Sequence, residues 1–170
     1  MGCLISRMDS LSGPSSIQPI FISKVLMHVQ LNQVTEFHQH IHATVAEKPQ
    51  LLPGSTETAG ILAKDLRDVI TRLDGREGGE LVQRCAMAIE ELAEWLEAHV
   101  EGNLVSAGDA WADRCYVLLG DAVATGLPAE KLFNAVHVSN MTKCSANSTT
   151  GKGNKVASYE PPDIAGCLSE

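Results

Sequence analysis

Paired cysteines are missing from this chain. Its five cysteines, Cys3, Cys85, Cys115, Cys144 and Cys167, are odd in number and widely spaced, and no C-x-x-C pair occurs. That pattern argues against a disulfide scaffold or a zinc site and points to a reducing, cytoplasmic setting. Aromatic residues are scarce at 4%, so a core drawn from the 44% of apolar residues must be largely aliphatic. No apolar run reaches the length of a bilayer-spanning helix. Positive charge is short as well, with 13 basic against 21 acidic residues and a net charge of −8. A surface that negative is repelled by phosphate backbones and anionic lipid, which argues against nucleic-acid and membrane partners. Alternating strand patterns and internal repeats are also absent, and 170 residues make one domain of ordinary size.

What is present is helical periodicity. Leu31, Val34, Phe37, Ile41 and Val45 form one apolar stripe, which predicts a helix over 30–45. A Pro/Gly break follows, and Ser55 or Thr56 caps a second predicted helix over 57–73, with Ile61, Leu62, Leu66, Val69, Ile70 and Leu73 as its stripe. A third helix is expected over 80–100, closed by Gly102-Asn103, with Leu81, Cys85, Ala88, Ile89, Leu92 and Leu96 inward. A fourth runs from 106 to 125 with Ala112, Tyr116, Leu119 and Val123 inward, and Cys115 also expected to pack; Gly126 stops it. Pro128 opens a fifth that reaches Met141. The expected fold is all-α, an antiparallel bundle of about four to five helices joined by short connections. The organisation read from the sequence is an N-terminal extension over 1–26, a helical domain over 27–143 and a polar, Gly-containing tail over 144–170. Met1-Gly2 with Ser6 matches a short lipidation pattern. The preferred reading of the extension is a disordered or loosely docked segment, with Met27 as an alternative start.

The two charge signs are segregated. Between Cys85 and Asp113 there is no Lys or Arg, yet the stretch carries Glu90, Glu91, Glu94, Glu97, Glu101, Asp109 and Asp113. Glu90, Glu91 and Glu94 project from neighbouring faces of one helix, and Asp109 and Asp113 lie four apart on the next. A short connection makes those helices antiparallel neighbours, so the two clusters converge across one seam. Like charges at such spacings destabilise unless a cation offsets them, and a hard divalent ion with oxygen ligands does so. The plainer alternative is a solvated acidic face. Conversely, from Lys131 to Tyr159 there is no Asp or Glu, while Lys131, His137, Lys143, Lys152 and Lys155 occur. Lysines in a Gly-containing loop suit phosphate capture; alone, the segment reads as a basic tail. An acidic cradle beside a basic arm matches a metal-bound polyphosphate.

These residues also resemble a family. Ile89-Glu90-Glu91-Leu92-Ala93-Glu94 is similar to the E-E-x-x-E signature of the all-α nucleoside triphosphate pyrophosphohydrolases, the MazG-like and phosphoribosyl-ATP pyrophosphohydrolase-like group. Ala112-Asp113 through Tyr116-Val117 resembles the second metal helix of one branch. Val136-His137 with Asn140-Met141-Thr142-Lys143, and Gly151-Lys152 with Lys155, Tyr159, Pro162 and Asp163, resemble that branch's substrate-contacting end. Phe37-His38 fits its start, and the resemblance covers roughly 30–164.

The resemblance implies a helical fold around a Mg²⁺ site (Mn²⁺ as the alternative), in a homodimer or homotetramer. It implies cleavage of a nucleoside triphosphate to the monophosphate and pyrophosphate, for nucleotide-pool clean-up. Carried over by position, Glu91, Glu94 and Asp113 become metal ligands, and Glu90 a ligand or the orienter of the attacking water. Asn140, Lys143 and His137 become substrate contacts, with Asn140 and Lys143 acting within the subunit or from a neighbouring one, and Lys152 and Lys155 close over the phosphates. Many members carry Glu three residues before the Asp of the second metal helix; here that position is Ala110. Either Asp109 substitutes from the adjacent turn or one ligand is missing. Two rival readings remain: a non-catalytic helical module that oligomerises or binds nucleotides, supported by Ala110, and a phosphoribosyl-ATP pyrophosphohydrolase, ranked lower on the H-x-x-N-x-x-K ending.

Overall fold

The computed structural model describes residues 19–169, with side chains from residue 27 onward. The lipidation pattern and residues 1–18 of the expected extension lie outside the described residues. Helix α1 (Pro19–His40) begins earlier than its apolar stripe suggested and ends five residues before Val45. His42 stops it by taking a left-handed backbone at φ 59°.

Helices α2 (Thr56–Leu73), α3 (Gly79–Val100) and α4 (Leu104–Thr125) follow the periodicity closely. Each has a local cause for its ends. The Ser55 side chain accepts from the Thr58 amide to cap α2, and the Asn103 side chain accepts from the Ser106 amide to cap α4. Gly102 (φ 71°) turns the chain between α3 and α4, and Gly126 (φ 68°) ends α4 in the left-handed conformation. Helix α5 (Ala129–Met141) follows directly.

Packing divides these helices into two groups. In the first, α3 packs against α2 on one side and α4 on the other. The buried positions there are all alanines: Ala63 on α2, Ala93 and Ala98 on α3, Ala107 and Ala110 on α4. Short side chains let helix backbones approach closely. In the second group α1 packs on α5, tied by a hydrogen bond that Gln33 Nε2 donates to Asn134 Oδ1 at 2.9 Å. The chain after α5 then folds back. Strands β1 (Cys144–Ala146) and β2 (Gly153–Asn154) form a small antiparallel hairpin, and a short helix α6 (Ile164–Leu168) rests on α5. The sequence predicted no strand there; three-residue and two-residue strands are too short to show alternation. The hairpin is held to the end of α1: Ala146 donates its amide to the Ile41 carbonyl at 2.9 Å, and Ile41 is buried. Gly153 is needed at this contact, because an added Cβ would meet Phe37, Ile41 and Lys143 within 3.3 Å.

The expected inward faces fail at several positions, most plainly on α4. The α4 stripe predicted to point inward points outward: Tyr116 is 81% and Val123 84% exposed, and Val105 and Leu119 share that face. The helix turns Ala107 and Ala110 toward its neighbours instead. Periodicity finds a stripe but not the side it faces when small residues line the opposite side. Leu81, Cys85 and Ala88 on α3, also expected inside, are exposed, as are Ile61 and Leu62 of the α2 stripe.

Candidate functional site

The acidic seam forms where α3 and α4 run side by side. Glu91 is its most constrained member. One of its carboxylate oxygens, Oε2, is buried and has no hydrogen-bond partner. Its pKa is raised, first by burial and then by the negative charges of Glu94, Asp113, Glu90 and Asp109. The structure thus brings carboxylates of both helices into one electrostatic neighbourhood around Glu91. Asp109 and Asp113, on α4, have exposed side chains. Ala110 is buried in the packing rather than lining an open ligand position.

The remaining acidic side chains of α3 are not bare. Arg67 of α2 donates Nε to Glu97 Oε1 at 2.9 Å and Nη2 to Glu97 Oε2 at 2.7 Å. The same guanidinium lies 3.6 Å from Glu94 and 3.8 Å from Glu90. The glutamates in turn raise the pKa of Arg67, and Arg67 lowers that of Glu97 by hydrogen bonding. Sequence reasoning missed this partner because the cation is supplied by a different helix from the carboxylates. Its signal was an arginine adjoining Leu66 in the α2 apolar stripe. Among the described residues, no three His, Cys, Asp or Glu side chains gather into a ready metal cage. The donors nonetheless fit a hard divalent ion: all are carboxylate oxygens, and the orphaned Glu91 Oε2 lacks the cation or hydrogen bond that buried charge requires.

Trp95 and Trp111, which flank the acidic residues in sequence, separate in role. The Trp95 ring carries the Arg114 guanidinium 5.0 Å above it and a tilted His99 ring at 4.3 Å. Trp111 is about half exposed.

The basic residues assemble on the other packing group. Lys143, just past α5, donates Nζ to Asn140 Oδ1 at 2.6 Å. The same ammonium lies 5.9 Å from both the Phe37 and Tyr159 ring centres. Lys155, following β2, sits 4.5 Å from the Tyr159 ring. Tyr159 has a lowered pKa, first through its hydrogen bond with Ser139 and then through Lys155 and Lys143. Lys152 is exposed in the hairpin loop, away from that ring cluster by sequence but tied to it through the Asn147 amide, which donates to its carbonyl at 2.8 Å. His137 is turned toward α1, with Nε2 3.4 Å from Glu36. His40 and His38 donate to backbone carbonyls of Lys143 and Thr44, so both histidines serve the fold. The segment read as a tail is therefore docked through β1, β2 and Tyr159.

Among the described residues, no helix is long and apolar enough to cross a membrane. The family model described as phosphoribosyl-ATP pyrophosphohydrolase matches residues 34–140, well over half of the chain. Its description corresponds to the reading the sequence placed last, while the superfamily is the one the motifs resembled. Neither curated proteins nor solved structures yielded a match. The chain, all-α and with its acidic motif inside the matched span, belongs to the phosphoribosyl-ATP pyrophosphohydrolase family, within the superfamily of MazG-like all-α nucleoside triphosphate pyrophosphohydrolases.

Proposed function

We propose that the protein is a Mg²⁺-dependent pyrophosphohydrolase that cleaves a nucleoside triphosphate between its α and β phosphates, releasing the monophosphate and pyrophosphate in nucleotide-pool clean-up. The observation that carries this reading is the buried, unpartnered Glu91 Oε2 set among the charges of Glu94, Asp113, Glu90 and Asp109. Glu91, Glu94 and Asp113, with Asp109 in place of the ligand that Ala110 cannot supply, would hold Mg²⁺ or Mn²⁺. When bound, the ion supplies charge neutralisation on the phosphates and a more acidic water. Glu90 or Glu94 would orient the attacking water and take up its proton. Lys143 and Lys155 stabilise charge on the leaving pyrophosphate, Lys152 closes from the loop, and Asn140 and His137 align the substrate.

The basic group acts across a subunit boundary in this reading. Helices α3 and α4 make few contacts with α1 and α5 in one chain, and only six apolar residues are buried among the described residues. The outward α4 stripe of Val105, Tyr116, Leu119 and Val123 is the face for a second copy, in a homodimer or a homotetramer. Tyr116→Glu is expected to shift the assembly toward monomer in light-scattering chromatography.

A second reading, phosphoribosyl-ATP as substrate, is favoured by the family description. Both substrates offer the same scissile bond, so one experiment compares them. Pyrophosphate release is measured with Mg²⁺ across a panel of nucleoside triphosphates and phosphoribosyl-ATP, for wild type and Glu91→Gln. Release from a nucleoside triphosphate, lost in Glu91→Gln, supports the proposal; release from phosphoribosyl-ATP alone selects the second reading. No release from any of them leaves a binding module.

A further inference from the structure

The acidic rim carries its own cation, and that cation is anchored outside the proposed ligand set. Glu90, Glu94 and Glu97 lie four and three residues apart, on one face of α3. Arg67 approaches that face from α2. Its two-pronged bond is to Glu97, at 2.9 and 2.7 Å, the geometry that a planar guanidinium makes best. With the fork fixed there, the remaining reach of the guanidinium falls short of full hydrogen bonds to Glu94 and Glu90, at 3.6 and 3.8 Å. Those longer contacts attract without saturating the carboxylates. Glu91 receives no such contact.

We propose that Arg67, clamped by Glu97, is the resident counter-cation of the metal site: it holds Glu90 and Glu94 in place in the metal-free protein and yields Glu94 to the incoming ion, thereby setting the divalent affinity. The inference rests on the metal reading above. Arg67 is a positioning residue, acting on the ion through Glu94 and Glu90 rather than by touching substrate. Two opposing effects follow from the arrangement. Without Arg67 the carboxylates repel one another more strongly, so the metal-free fold weakens. Without it the ion also meets a more negative rim with no competitor for Glu94, so binding tightens. An arginine that only stapled α2 to α3 would produce the first effect and not the second.

The test is Mn²⁺ binding to the full chain, followed by the electron spin resonance signal of the free ion, with thermal unfolding in EDTA as a second readout. Arg67→Gln is expected to bind Mn²⁺ about ten-fold more tightly while unfolding at a lower temperature in EDTA. Glu97→Gln, which releases the fork toward Glu94 and Glu90, is expected to bind several-fold more weakly. Arg84→Gln removes a charge of the same sign on α3, where Arg84 pairs with Glu80 and Asp121, and is expected to leave Mn²⁺ binding unchanged. Affinity that is unchanged or weaker in Arg67→Gln overturns the proposal, as does an equal tightening in Arg84→Gln. Should Arg67→Gln not fold, Arg67→Lys and Glu97→Gln decide. Lysine cannot keep the fork and reach the other two glutamates at once, so affinities of wild type, Arg67→Lys and Glu97→Gln that are all equal also overturn it. Wild type that binds no Mn²⁺ at millimolar concentration removes the metal reading and this inference together; wild type that binds, with variants unchanged, removes this inference alone.

Discussion

The two packing groups handle crowded like charge in different ways. On α2, α3 and α4, five carboxylates share one neighbourhood, and a single guanidinium answers those of Glu90 and Glu94 while leaving Glu91 unanswered. Around α1, α5 and the hairpin, Lys143 and Lys155 make no salt bridge among the described residues and rest on aromatic faces and an amide oxygen. Cation–π contacts of this kind hold an ammonium in place without neutralising it. The acidic group therefore remains short of positive charge and the basic group short of negative charge. In the proposed reading a nucleoside triphosphate with its cation would supply both, and the two groups would then act as halves of one site.

Breaking the acidic half should matter most. Asp113→Asn is expected to lower pyrophosphate release by about 100- to 1000-fold, the range seen when one preorganised electrostatic group is removed, with helicity by circular dichroism unchanged. Removing the best-placed cation of the basic half comes next. Lys143→Ala should lower kcat by about ten-fold or more and leave metal binding intact, which steady-state kinetics and a separate Mn²⁺ titration resolve. A smaller effect is expected at the ring that both ammonium groups share. Tyr159→Leu should cost about two- to five-fold in kcat/KM, in line with cation–π energies of ~0.5–1 kcal/mol, and Tyr159→Phe should recover most of it. A larger loss in Tyr159→Phe than in Tyr159→Leu would instead assign the work to the phenol oxygen and its Ser139 bond.

Much of the fold was legible because helical periodicity and end signals agree along the middle of the chain. Ser55, Gly102 and Gly126 act where their side chain or backbone freedom predicts, whereas Asn103, read as part of the α3 stop, instead caps α4. The start of α1 was not legible, since the apolar residues between Pro19 and Met27 follow no stripe. The hairpin was not either, because its order comes from Ile41 and Phe37, more than a hundred residues away in sequence. At the site, the E-E-x-x-E spacing pointed to Glu91, and the electrostatic coupling of Glu91 to Asp113 is what neighbouring antiparallel helices produce. Arg67 was invisible to the same reading: a charge count along α3 and α4 cannot register a cation on α2. The facing of the α4 stripe was misjudged for a related reason, as alanines carry little periodic signal yet decide which side packs.

The pH dependence of the metal-free protein exposes the state of Glu91. Its pKa is raised in the folded chain, so folding holds the proton more tightly than the unfolded chain does. Stability is then lost as pH rises from the ordinary glutamate range through the raised value, and the penalty is complete above it. Glu97, lowered by Arg67, runs the other way: its contribution is present above the ordinary range and disappears as pH falls through its lowered value.

Thermal unfolding of wild type and Glu91→Gln, in EDTA and in Mg²⁺, tests the central claim most directly. The account predicts that at pH 7 in EDTA the variant melts roughly 2–4 °C higher, equivalent to about 1 kcal/mol in a domain of this size, and that the gap closes toward pH 4. It also predicts that Mg²⁺ raises the midpoint of wild type and leaves that of the variant where it was. A variant that melts lower in EDTA, together with a wild type indifferent to Mg²⁺, would show that Glu91 is a satisfied structural carboxylate and not a site held open for a cation.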